Sequence, residues 1–438
     1  MNAKTFFLGL LSLSLLFSCG KSTSDIAKQL TGDDAPPPSE ARLAGTLATD
    51  FGSSGLVSVG LGTDQDTGQK VLFASDGSIF VGGHSFNTGT MSNDVVLWKF
   101  SPDGTLDTSF GGGSGTVTHH LKNETVYDMA IDSSGNIILV GDTNHLNTLQ
   151  DLAIWKLTPT GALDTSFGSG NGYVIHSNAA GKGVDPIDIG FAVAIDSNDN
   201  IIVTGVSNFE AAIWKYTPTG NLHPTFAGGQ GYFTSTTAYI LQDIVLDSSD
   251  NIYLAASKSS DLAVWKLDSD GSFDTTFNGD GTFLFSGANY SSSLSLDPNG
   301  NLIVVGRDAP NMVILKLTPS GTLDTSFAGG LGYVSSSGTE SGTPSQVLLD
   351  ANGDIIVLGK HDNGSDDDAI IWKYTSTGQP DSTFASGNAY TKFNNISGGS
   401  GSSDEFLGGA ISSEGALFST GISFAGGTDD DMILIKLE

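Results

Sequence analysis

The chain has 438 residues, with 18 Lys plus Arg against 48 Asp plus Glu, a formal charge of −30. Such a surface repels phosphate backbones and anionic headgroups, which speaks against nucleic acid or direct lipid contact. Only 15% of residues are charged while 58 are glycine, a mix that favours strands and tight turns over helices.

In chain order, the first element is a targeting segment. Residues 1–4 are a short basic start, and 6–17 form an apolar stretch too short to span a bilayer comfortably. It ends in Leu16-Phe17-Ser18-Cys19, which resembles a bacterial lipoprotein signal, with Phe17 bulkier than the usual residue there. The resemblance implies that 1–18 is removed and that Cys19 carries acyl chains such as palmitate. Gly20 in the following position implies the outer membrane, with either its periplasmic or its outer side open. Cys19 is the only cysteine, so no intrachain disulfide can form. Residues 19–44, with Pro36-Pro37-Pro38, read as the lipidated cysteine and a flexible stalk.

From residue 45 to 438 one pattern recurs, aligned on Lys99, Lys156, Lys215, Lys266, Lys316, Lys373 and Lys436. An apolar stretch ends in a turn such as Asp132-Ser-Ser-Gly-Asn136, and a second stretch follows. A third, unbroken apolar run leads into the lysine. Then come a Pro-x-Gly turn, Leu-Asp-x-x-Phe, a Gly-rich turn and a last short strand. Each piece is short and bounded by turn residues, which predicts four antiparallel strands, A to D, per repeat. Strand C is apolar on both faces, so each sheet must be covered on both sides. Small sheets stacked face to face around an axis make a β-propeller.

Gly-x-Leu-x-x-x-Phe, with Phe273 and Pro380 in place of Leu in two copies, occurs seven times, ending at Phe51, Phe110, Phe167, Phe226, Phe277, Phe327 and Phe384. The first copy has no strands A to C before it, and Lys436 has no such motif after it. The offset predicts a closed ring of seven four-stranded antiparallel blades, all-β, whose last blade borrows strand D from residues 55–61. At "DTSFGGGSG", "GNIILVG" and "WKLTPTGALDTSF" the chain resembles the delta-60 repeat, a bacterial β-propeller repeat that usually has arginine where Trp-Lys stands here. That resemblance implies a fold rather than an activity.

The repeated lysines need partners, and the Leu-Asp-x-x-Phe acids Asp107, Asp164, Asp274, Asp324 and Asp381 are the expected ones. An acidic ring at the start of strand C (Asp94, Asp151, Glu210, Asp261, Asp368, Asp431) reads as turn capping. Asp350–Asp354 opens like a calcium loop, but Ile355 and His361 occupy the required Gly and Glu positions. His119 and His176 lie in outer strands and read as surface residues. No phosphate loop, zinc-protease or serine-hydrolase motif occurs.

Loop length alone breaks the symmetry. The B–C and D–A connections share one face and are long in neighbouring blades six, seven, one and two, which marks a contact face. Its candidate residues are His84, His145, His361, Asp362, Asp366, Asp367, Asp368, Asp429, Asp430 and Asp431. Asp362, Asp366, Asp367, Asp429 and Asp430 are expected to lie close together, which makes weak calcium binding the one cofactor expectation. Around the axis, VYDMA, FAVAI, LQDIV, SSLSL and SQVLL are mostly apolar or small, which argues against catalysis there. The expectation is a monomeric, non-enzymatic binding or scaffolding lipoprotein of the cell envelope, touching the membrane only through its anchor, with an envelope protein or glycan as partner. The alternatives are a polysaccharide hydrolase or lyase with an axial site, and a calcium-dependent adhesin.

Cys19→Ser is expected to abolish acyl labelling and to release a folded soluble protein. Membrane-bound wild type that carries no acyl label would contradict the anchor.

Overall fold

Short strands and turns assemble into seven four-stranded antiparallel sheets arranged as a β-propeller. The structure, a computed structural model, describes residues 43–61, 65–144, 149–181, 187–235, 239–258, 261–336, 341–396, 403–424 and 430–438. Cys19, His145 and Asp429 lie outside the described residues.

Blade one shows the plan, with strands A to D at Asp66–Phe73, Ile79–Asn87, Ser92–Phe100 and Thr116–His119. Blades two to six repeat it over 124–176, 188–234, 239–285, 290–335 and 343–393. Blade seven takes strands A to C from Asp404–Ile411, Leu417–Phe424 and Asp430–Leu437. Its strand D is Leu56–Val59, paired antiparallel with Leu56 opposite Ile435 and Val59 opposite Met432. The offset read from the sequence is therefore how the ring closes. Backbone bonds reinforce the junction: Ala44 and Gly45 N–H donate to the Glu438 carbonyl, both at 2.8 Å, and Ala48 N–H donates to Lys436 at 2.9 Å.

The core is not one cluster but seven, one at each blade–blade interface. The strand C runs supply both sides. Val96 and Trp98 face blade seven, while Val95 and Leu97 face blade two. All five tryptophans are buried in these layers.

A second device repeats around the ring. The Phe that ends each Leu-Asp-x-x-Phe motif lies against the turn glycine of the next blade: Phe110 against Gly161, Phe167 against Gly220, Phe226 against Gly271. Phe384 of blade six meets Gly45, and Phe51 of blade seven meets Gly104, so the contact continues through the closure. A Cβ on Gly45 would sit 2.5 Å from the Phe384 ring, at a φ of +78°. Both space and backbone therefore require glycine there. The Ala385 N–H beside Phe384 donates to Ala44 at 2.9 Å, and Gly52 N–H donates to Asp103 at 2.8 Å.

Deleting residues 45–61 is expected to uncover the strand at Asp430–Leu437 and produce aggregation without cooperative unfolding, read by light scattering and urea denaturation. Phe384→Ala is expected to keep the ring and cost about 3–5 kcal/mol. Wild-type unfolding of the deletion variant would contradict closure by Leu56–Val59.

Candidate functional site

The strand C lysines are architectural, and the expected partners are present for four of them, with acids of the A–B turn as further or alternative partners. Lys99 and Lys266 do meet the expected Asp107 and Asp274, at 3.1 and 2.8 Å. Lys156 and Lys215 instead bond the A–B turn acids Asp132 and Asp196, both at 2.9 Å. Lys316 lies 3.5 Å from Asp297 and 3.9 Å from Asp324, and Lys373 lies 3.1 Å from Asp350 and 3.6 Å from Asp381. The turn acid can serve both purposes. Asp132 Oδ1 accepts the Ser134 and Asn136 amides at 3.0 and 2.8 Å, while Oδ2 takes Asn136 Nδ2 and Lys156. Lys156 Nζ and Lys215 Nζ also donate to Pro218 and Ser269 carbonyls of the following blade, at 3.3 and 3.1 Å. With these bonds the Lys156 and Lys215 charges are compensated and tie two blades together.

The axis is more polar than the strand A sequences suggest. Every strand A has a register shift at the same level, for example between Gly68 and Lys70 and between Val126 and Asp128. The bulge turns successive side chains toward the channel. Lys70 of blade one pairs with Asp128 of blade two at 3.2 Å, and Asp128 Oδ2 accepts the Val193 amide of blade three at 2.9 Å. Asp243 of blade four accepts Ser293 Oγ at 2.6 Å and the Leu294 amide at 3.0 Å from blade five. Gln346 of blade six accepts the Gly409 amide of blade seven at 2.7 Å. Burial works against the Lys70 charge, yet Asp128 and Asp243 outweigh it and hold its pKa above the usual value. Burial likewise raises Asp243, with Lys70 and Ser293 opposing. Above this waist, toward the A–B turns, lies an apolar funnel of about 480 Å³ walled by residues such as Leu72, Met129 and Val193. Lys70, Asp128 and Asp243 occupy the same position after the bulge in blades one, two and four, a signal available in the sequence.

On the long-loop face, Asp66, Glu124, Asp188 and Asp404 open strand A of blades one, two, three and seven, and all are fully buried. Blades four, five and six begin with Tyr239, Tyr290 and Thr343. The carboxylates hold the incoming D–A loops. Leu61 N–H donates to Asp66 at 2.7 Å, Lys122 N–H to Glu124 at 2.5 Å, and Asn178 N–H to Asp188. Burial, with a strand C acid of the preceding blade (Asp151 or Asp368) nearby, raises the pKa of Asp188 and Asp404. These four positions span adjacent interfaces, which gives the elaborated arc a structural basis that loop length alone did not reveal.

The candidate contact residues divide. Asp362 is exposed and accepts the Gly364 amide at 2.8 Å, while Asn363 Nδ2 donates to Asp366 and, at 3.0 Å, to Asp368. Asp367 pairs with Lys360 at 3.2 Å, so the blade six acids are held within their own loop. Asp431 accepts Ser58 Oγ at 2.7 Å, and Asp430 is described only as part of its strand. Two candidate histidines are not open to a partner. His361 is buried with Nδ1 2.6 Å from the Ser341 carbonyl oxygen. His84 is turned inward, and burial lowers its pKa to about 4 against one opposing hydrogen bond to the Val126 backbone.

His119 and His176 are half-buried rather than fully exposed. Desolvation lowers the pKa of His119, and His176 lies edge-on to Tyr232 and Trp214 with ring centres 5.4 and 6.1 Å apart. The described residues contain one group with metal-ligand geometry, Asp94, His120 and Glu124, whose ligand atoms lie within 4.8 Å of one another. A cavity of about 730 Å³ opens on the A–B turn side of the closure, between Phe73 and Phe418, with Lys436, Asp50 and Glu414 on its walls. It forms where Ala74 and Ser412 replace the turn acids that bond lysines in blades two, three, five and six.

Burial lowers the pKa of His176 from 6.5 to about 4, with Asp151 opposing. The fold holds the neutral ring, so its contribution to stability is whole above pH 6.5 and declines as pH falls toward about 4. His176→Phe is expected to flatten the dependence of the urea midpoint on pH in that window. An unchanged slope would contradict the assignment.

Three solved structures illustrate the likeness. A catalytically inactive virginiamycin B lyase from Staphylococcus aureus, crystallised with quinupristin, is 12% identical with a TM-score of 0.47, covering 87% of this chain and 98% of that one. A protein of unknown function from Bacteroides caccae is 11% identical with a TM-score of 0.39, covering 76% and 95%. A putative gluconolactonase is 10% identical with a TM-score of 0.35, covering 72% and 89%. At these values the likeness carries no inference about activity. No curated protein matches the sequence significantly. Residues 74–110, 133–167, 249–277 and 298–327 match the model of a domain of unknown function, the DUF5122 beta-propeller, which supports a β-propeller repeat family for this chain.

Proposed function

We propose that this protein is a non-catalytic binding or scaffolding propeller of delta-60 repeats, held at the bacterial cell envelope by acyl chains on Cys19. Its contact face is the loop arc over blades six, seven, one and two, and its partner is an envelope protein or glycan. One observation carries the reading. The axial ionisable groups Lys70, Asp128 and Asp243 are committed to bonds between neighbouring strand A segments. A general acid or base needs its proton or lone pair directed at a substrate, and these are directed at the next blade. Calcium forms no part of the reading, because Asn363, Lys360 and the Gly364 amide already hold the blade six carboxylates.

The rival is catalysis on an envelope polysaccharide at the axis, favoured by the convergence of three charged groups beneath an open funnel. Crosslinking in intact cells separates the two. Shortening 361–367 to the three-residue connection of blade five is expected to remove the crosslinked partner while leaving the melting temperature unchanged. Lys70→Met is expected to retain the partner. Loss of a glycan-cleaving activity in Lys70→Met, or full crosslinking after shortening, would overturn the proposal.

A further inference from the structure

The junction between blades one and two differs from the other acid-lined junctions. At the blade two–three and six–seven junctions, Asp188 and Asp404 receive loop amides on their carboxylates, Asp188 on both oxygens. In blade two the equivalent residue is Glu124, one methylene longer and fully buried. Its Oε1 accepts the Lys122 amide at 2.5 Å and Thr143 Oγ1 at 3.1 Å. Its Oε2 is buried without a hydrogen-bond partner. That oxygen lies 3.9 Å from Nδ1 of His120, which the loop leading into strand A supplies. Across the junction, Asp94 Oδ2 accepts Asn87 Nδ2 at 3.2 Å, and Oδ1 lies 2.5 Å from His120 Nδ1. Each carboxylate thus has one oxygen fixed by protein donors and the other turned toward a common point. This is how orienting partners prepare ligands for a cation.

Two buried carboxylates with an unpartnered oxygen between them leave negative charge uncompensated. Asp142 and Asp151 deepen it, since Glu124 and Asp151 both act on Asp142, whose pKa burial raises to about 6. His120 is 43% exposed, so the group opens to solvent on one side. We infer that Asp94 Oδ1, His120 Nδ1 and Glu124 Oε2 bind a divalent transition-metal ion of the zinc or manganese class, with water completing its coordination. One nitrogen and two oxygens suit these ions, whereas calcium and magnesium favour oxygen ligands alone. On binding, the ion takes the place of the hydrogen between His120 Nδ1 and Asp94 Oδ1, the proton leaves to solvent water through the exposed side of His120, and the loop from strand D to strand A becomes fixed across the two blades.

The test uses the full chain, purified in detergent and stripped with EDTA, with zinc chloride titrated by calorimetry. One ion per chain is expected to bind and to raise the melting temperature, with no matching shift from magnesium at the same concentration. Cobalt substituted into the same protein is expected to give visible absorption bands. His120→Gln, a change at an exposed side chain, is expected to weaken zinc at least about 10-fold and remove the cobalt bands. Asp261→Asn, at the matching strand C position of distant blade four, is expected to change neither. Absence of saturable zinc binding would overturn the inference, as would zinc binding unchanged in His120→Gln.

Discussion

No blade of this molecule can bury its own core. Strand C is apolar on both faces, so a blade in isolation would expose two greasy surfaces, and each becomes covered only when a neighbour stacks on it. The seven clusters at the seven interfaces are the direct result. Stability is therefore cooperative around the ring, and the junction made from the two ends of the propeller must be as complete as the rest. The pairing of Leu56–Val59 with Asp430–Leu437 meets this need with ladder bonds. Phe384 against Gly45 and Phe51 against Gly104 meet it with packing.

Polar groups then serve the same constraint. A buried or half-buried lysine in every repeat is costly unless compensated, and each lies beside one or two acids. At the axis the same logic produces a belt from Lys70 to Asp128 to Val193 and from Asp243 to Ser293 and Leu294. On the turn side, Asp199 and Asp250 replace the turn glycine and reach Ser133 and Ser197 of the preceding blade at 2.5 and 2.6 Å. These charges hold blades together, which is why conspicuous repeated residues carry little information about a ligand.

The ring itself was legible because its signals are periodic. Seven lysines, seven Gly-x5-Phe motifs and one phase offset state the blade number and the closure without reference to tertiary contacts. The functional side was legible only in part. Loop length marked the arc, but the acids that support it sit at the first residue of strand A, where one buried carboxylate looks like any surface Asp in a sequence. The partner of Lys156 was misassigned for a similar reason. Asp132 and Asp164 are both near Lys156 in the repeat, and only geometry shows that Asp132 can cap its turn and bind the lysine together. His84 and His176 show the opposite limit, since alternation in a sheet covered on both faces leaves no exposed side to read.

The closure seam shows what happens where the periodic pattern lapses. Lys436 has no turn acid, because Ser412 stands in that place, and blade seven's strand D belongs to a different part of the chain. Its acids are Asp50 and Glu438 at 3.7 and 3.6 Å, and their side chains are 74% and 60% exposed. Pairs so open to solvent contribute little. Ala74 of blade one lacks the acid as well, and the space left between Phe73 and Phe418 is the 730 Å³ cavity. The seam is thus held by backbone hydrogen bonds and aromatic packing, where the other junctions add a compensated charge. The Lys436 charge stays at the solvent-facing rim, so the closure does not depend on its compensation.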